Sequence, residues 1–155
     1  MGTSASVPAS DSLVSADWLA QNLTSPDLVI LDASRHLPAA GRDPAREFAS
    51  AHIPGARFLD LASLTNPDSD VPSALPNADQ LAQRMADLGI GQRARIVLYD
   101  DSAVKTSARA WFVFTAHGLA NTAILDGGLN AWRQGGHPLE TDAATFAPAT
   151  PISLP

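Results

Sequence analysis

The sequence predicts an α/β domain with a central, mostly parallel sheet of about five strands and helices on both faces. Apolar strand-like runs alternate along the chain with segments of helical pattern, the order expected of βαβ units. The runs themselves, such as "DLVILDAS" and "RIVLYD", are continuously apolar rather than strictly alternating, as strands covered on both faces are. A length of 155 residues suits one domain with a single core that needs no staples.

Residues 1–12 are small and polar and read as a disordered leader ahead of a domain over 13–140. Ser15 is placed to cap a short helix over "SADWLAQNL". Residues 27–34 follow as the first buried strand, bounded by Pro26. The connection 36–56 is too rich in Pro and Gly for one helix, but "PAREFASA" can make two turns with Pro44 at the first helical position. "ARFLDL" (56–61) is a second short strand, and 65–76, with three prolines, is loop. The strongest helix signal starts at Asn77, where Asn77 and Gln80 have capping-box spacing. Leu81, Met85 and Leu88 share one face, and Gly89 ends it. A strand at 95–100 comes next, then a helix over 103–117 that is apolar nearly all round at "AWFVF". That pattern predicts a buried helix with Trp111, Phe112 and Phe114 in the core. "TAILDGG" supplies a fourth strand, and "LNAW" starts a helix that stops at Gly135-Gly136. Residues 141–155, with Pro148, Pro151 and Pro155, read as a Pro-rich interdomain linker.

Charge and composition narrow the function classes. A net charge of −6, with no basic run, leaves no nucleic-acid footprint and no general attraction to anionic membranes. No apolar run approaches the ~20 residues of a membrane span, and the N-terminus lacks the regions of a secretory signal. Cytoplasmic location is the default expectation. The absence of cysteine excludes a disulfide scaffold and thiolate metal sites, and no His/carboxylate spacing suggests a metal; no cofactor is expected. Charged residues are only 17% of the chain, against ~25% in typical domains, so a face is expected to lie against a partner or second domain.

Five motifs, in order over most of the chain, carry a resemblance: "LDAS" at 31–34, "GRDPAREF" at 41–48, "HIPGA" at 52–56, "IVLYDD" at 96–101 and "LDGGLNAW" at 125–132. Together they resemble the rhodanese family. More narrowly they are similar to the N-terminal, non-catalytic half of two-domain sulfurtransferases acting on thiosulfate or 3-mercaptopyruvate. The resemblance implies a rhodanese-like fold in which an active domain carries a Cys at the end of the central strand. The loop after that Cys curls so that backbone N–H groups face the sulfur, and the next helix adds its dipole, favouring thiolate and persulfide. In the two-domain enzymes this Cys lies on the C-terminal half. Such a Cys-bearing domain is the expected partner.

By resemblance, Asp100 occupies the Cys position and the loop cradle is Asp100, Asp101, Ser102, Ala103, Val104, Lys105 and Thr106. Either the Asp100 carboxylate fills the cradle and caps the helix, or it is an exposed Asp closing a turn; Asp101 in the same role would shift the register by one. Asp43 and His52 carry two readings. The resemblance implies a contribution to the partner domain's active site, in a Ser–His–Asp relay where a carboxylate keeps an imidazole basic. Alternatively, His52 packs at a strand entrance and bonds to backbone. Arg42 and Arg46, with Arg35, either contact an anionic substrate or pair with Asp43 and Glu47. Gly127, Gly128 and Trp132 are read as structural, and His117 as a partner of a helix C-terminus.

Two functions therefore remain: a catalytically silent half of a sulfurtransferase, or a stand-alone inactive module for binding or regulation. A self-sufficient sulfurtransferase or a phosphatase of this fold needs a thiolate, and the chain has no Cys. The phosphatase's expected Arg is Thr106 here.

Overall fold

The computed structural model describes residues 12–65, 75–102, 106–142, 144 and 146–154. The element order is β1 (Leu13–Val14), α1 (Ala16–Asn22), β2 (Leu28–Asp32), α2 (Pro44–Ser50), β3 (Arg57–Phe58), α3 (Ala78–Asp87), β4 (Arg95–Tyr99), α4 (Thr106–Ala116), β5 (Thr122–Leu125) and α5 (Gly128–Gln134). Single 3₁₀ turns lie at Pro38–Ala40 and Leu61–Leu64. The five strands form one sheet in the order β1-β5-β4-β2-β3, and every pairing is parallel. The central pair is β2–β4, in register from Leu28–Arg95 to Asp32–Tyr99, so Asp32 and Asp100 emerge side by side from the same edge of the sheet.

Strand periodicity sorts the core into two layers. Val29, Leu31, Ile96 and Leu98 face α3 and α4, where Leu81, Met85, Ala110, Val113 and Phe114 pack on them. Ile30, Val97, Tyr99, Ala123 and Leu125 face α1 and α5, against Leu19, Leu129 and Trp132. Helices on both faces follow from strands that are apolar on both sides. Burying side chains such as Trp132 and Phe114 completely stabilises the fold by about 1.5–3 kcal/mol each.

Several local expectations need correcting. β1 was not among the four strand segments evident in the sequence: two residues are too few to show a period. Ser12 also joins this edge, its carbonyl accepting from Ile124 N at 2.8 Å; the rest of the expected leader lies outside the described residues. The second expected strand shortens to Arg57–Phe58 because Asp60 caps a 3₁₀ turn directly after it. Asn77 does cap α3, accepting from Gln80 N, but the Gln80 side chain donates to the carbonyls of Ser63 and Thr65 instead of closing the box. α4 is not buried all round. Phe112 is 50% exposed, because helical geometry turns it away from the sheet when Val113 and Phe114 face it. Trp111 is half-buried, and its indole N–H donates to Thr122 O at 3.1 Å.

The C-terminal segment is packed along its described part. Ile152 enters the core, Ala149 N donates to the Ala86 carbonyl, and Gln92 exchanges hydrogen bonds with the Ser153 backbone. Phe146 lies under the Arg57 guanidinium at 4.4 Å.

Candidate functional site

The site forms where β2 and β4 end, the edge at which open parallel sheets present their loops to ligands. Asp100 directly follows β4 and is only 4% exposed. Its Oδ1 accepts from Ser102 N at 3.2 Å and its Oδ2 from Ser107 N at 2.7 Å. The carboxylate thus bridges the start of the loop and the first turn of α4, where backbone N–H groups lack helical partners and negative charge is favoured. Its own carbonyl accepts from Leu129 N at 3.0 Å, which ties α5 to the same point. That close approach requires Gly128: with φ +60°, a Cβ there would sit 2.6 Å from the Asp100 oxygen. Of the expected cradle, Ala103, Val104 and Lys105 lie outside the described residues.

Asp101 points elsewhere. Its amide donates to Ser34 Oγ at 2.9 Å and its carboxylate meets Arg42 at 3.3 Å. Asp100, not Asp101, therefore turns onto the loop amides. Ser102 and Thr106 complete a buried hydroxyl pair at 2.6 Å, and Thr106 Oγ1 also donates to Ala33 O and accepts from Arg35 N. These bonds stitch the β4–α4 loop to the segment leaving β2.

Asp32, in the "LDAS" motif, has a role that motif reading missed. It is 4% exposed, lies beside Asp100, and accepts from Ser34 N at 2.9 Å. Burial pushes its carboxyl above the usual range, opposed by hydrogen bonds from Ser34, and the Asp100 charge pushes the same way. Burial likewise raises the Tyr99 phenol, whose oxygen accepts from Ile53 N. A motif identifies Asp32 as a strand end; only the strand register shows that two carboxyls share one edge.

Asp43 and His52 sit at opposite ends of α2. Asp43 is the N-cap, with Oδ1 accepting from Ala45 N and Arg46 N. His52 is 1% exposed, stacked on Phe48 at 4.2 Å, and both ring nitrogens lie 2.8 Å from backbone carbonyls, those of Phe48 and Asp142. No hydrogen bond joins the two residues among those described. The His52 backbone pairs with Glu140 in an isolated antiparallel bridge, and the Glu140 carboxylate also accepts from Gly55 N. His52 thereby anchors the chain after α5 to "HIPGA".

The arginines separate as clearly. Arg42 is engaged: Nε and Nη2 grip Glu47 at 2.7 and 2.9 Å, and Nη2 reaches Asp101. This bond lowers the Glu47 pKa from its ordinary value, helped by His36. Arg46 lines a cleft of about 330 Å³ with Asp32, Ser34, Glu47, Asp101 and Arg133. Its guanidinium makes no hydrogen bond or ion pair among the described residues. No group of three or more metal-ligating side chains occurs among the described residues.

The geometry matches known proteins. The model of the rhodanese-like domain matches residues 15–135. A thiosulfate/3-mercaptopyruvate sulfurtransferase of Arabidopsis thaliana is 39% identical over 92% of this chain and 38% of its own length. The human 3-mercaptopyruvate sulfurtransferase is 39% identical over 88% of this chain and 48% of its own length. Among solved structures, a 3-mercaptopyruvate sulfotransferase from Escherichia coli superposes with a TM-score of 0.84 at 32% identity, covering 92% of this chain and 55% of that one. The chain spans about half the length of the relatives it matches.

Proposed function

The chain belongs to the rhodanese-like domain family, and from that premise we propose that it is the catalytically silent half of a sulfurtransferase. In this reading it shapes the active site of a Cys-bearing rhodanese domain that carries the persulfide during transfer from thiosulfate or 3-mercaptopyruvate.

One observation carries the reading. At the strand end where the resemblance places a sulfur nucleophile, the Asp100 carboxylate holds the amides of Ser102 and Ser107. A carboxylate satisfies the same electrostatic demand as a thiolate, yet it has no sulfur to carry. With no cysteine anywhere in the chain, no other residue supplies the nucleophile. Asp43 and His52 serve the partner's pocket by fixing the wall between them: one starts α2, the other ends it.

The test is to join the chain to a Cys-bearing rhodanese domain and compare kcat/KM for 3-mercaptopyruvate with that of the partner domain alone. A gain of about tenfold or more in the joined protein is expected. No gain would overturn the silent-half reading in favour of an independent binding module.

A further inference from the structure

We propose that His52 is a buried imidazolium, a proton-held clamp that fastens the chain after α5 to the end of α2. The inference rests on contacts within this chain and is independent of any partner domain.

Both ring nitrogens meet the same kind of atom. Nδ1 lies 2.8 Å from the Phe48 carbonyl oxygen, and Nε2 lies 2.8 Å from that of Asp142. A carbonyl oxygen only accepts, and a neutral imidazole has one N–H to give. With a single ring proton, the bare nitrogen would set its lone pair against an oxygen, at a distance that leaves no room for water. Two ring protons turn both contacts into charge-assisted hydrogen bonds, the stronger kind. Burial by itself disfavours an ion, and His52 is 1% exposed. Here each N–H of the ring has its acceptor, the condition under which a buried charge is tolerated.

The surroundings favour the cation twice more. The Phe48 ring lies flat on the imidazole, with 4.2 Å between centroids and 6° between planes, and presents the negative face of its π system. The Phe48 carbonyl belongs to the last turn of α2, where carbonyls without helical partners carry partial negative charge. No carboxylate meets the ring among the described residues. Glu47 on α2 is taken by Arg42 and His36, and the Glu140 carboxylate by the Gly55 amide. Asp142 is exposed, and the Tyr99 phenol from β4 accepts from Ile53 N.

The His52 backbone exchanges hydrogen bonds with Glu140, and its ring holds Asp142 two residues further on. One residue thus fixes the path of the chain after α5. Loss of a ring proton forfeits one of the two ring bonds. The bond to Asp142 is the one that gives way, because Phe48 is only one helical turn from His52 itself. A ring with both nitrogens occupied also has no lone pair to offer as a base, so His52 is a positioning residue.

The experiment is nitrogen NMR of the full chain at neutral pH, with the His52 ring assigned through its contact with Phe48. Both ring nitrogens are expected to carry protons; one bare nitrogen would overturn the proposal. Hydrogen exchange, corrected for its intrinsic pH dependence, follows the clamp as pH is raised. The Glu140 amide is expected to lose about tenfold or more in protection in step with the second ring proton, while the Ala149 amide on Ala86 keeps its own. His52→Gln, whose one amide nitrogen cannot span both carbonyls, is expected to show the loosened Glu140 amide already at neutral pH. Glu140 protection indifferent to the ring proton, or lost equally at Ala149, would overturn the clamp, as would a folded His52→Gln that keeps the parent's protection.

Discussion

At the scale of single residues, two buried carboxyls, Asp32 and Asp100, emerge together from the sheet and do different things. Asp100 takes two backbone donors, so Asp100→Ala leaves the amides of Ser102 and Ser107 without their acceptor in a buried place. The expected loss is about 2 kcal/mol or more in urea unfolding, at 1–3 kcal/mol per stranded donor; Asp100→Asn, which keeps one acceptor oxygen, loses less. Asp32 runs the other way. Its folded pKa lies above the unfolded value, so protonation favours the fold. That contribution is complete below the unfolded pKa of about 3.9 and is lost as pH rises through the folded pKa. Asp32→Asn keeps an acceptor for Ser34 N and has no charge to bury. It is expected to be more stable than the parent at neutral pH, with the gap closing as pH falls towards about 4, as read from urea midpoints at each pH. Glu47, whose pKa is lowered by Arg42, has the opposite sign: its stabilisation is present above the unfolded pKa and fades as pH falls through the folded one. The position of Asp100 was legible because a motif marks the strand end. The pairing with Asp32, 68 positions away in sequence, was not, because it depends on the register of β2 against β4.

At the scale of elements, one joint holds the site in place and a second closes the opposite end of the sheet. The turn between β5 and α5 brings Gly128 against the Asp100 carbonyl. Gly128→Ala adds both a left-handed backbone penalty of roughly 1–2 kcal/mol and a clash with backbone that cannot swing aside. A loss of at least about 2 kcal/mol in urea unfolding is expected, with the Leu129 amide among the first to lose hydrogen-exchange protection. The second joint is the C-terminal segment. Ile152 is 7% exposed within the layer that holds α3 and α4, so Ile152→Ala is expected to cost about 2–5 kcal/mol. Phe112→Ala on the outer side of α4 is expected to change stability far less, which thermal unfolding of the two variants would compare directly. β2, β4 and β5 were legible in sequence as apolar runs, and α3 as a capped, periodic helix. β1 was hidden by its length, and the packing of the tail by prolines that carry no periodic signal. Phe112 was not legible, because an apolar run along a helix does not show which of its sides the sheet covers.

At the scale of the whole molecule, the sheet, the two helical layers and the strand-end cleft form a rhodanese-like domain whose central strand β4 runs into a buried carboxylate, Asp100. The fold was legible because motif order and strand type agree. What each arginine does was not, since Arg42, Arg46 and Arg133 differ only in which carboxylates the fold brings to them. The most direct measurement is cyanide-dependent thiocyanate release by the isolated chain supplied with thiosulfate. A chain without a thiol is expected to release thiocyanate only at the rate of the protein-free control, at every protein concentration. Thiocyanate formation that rises in proportion to the chain would contradict it, for it would mean that this domain moves sulfur without a thiol.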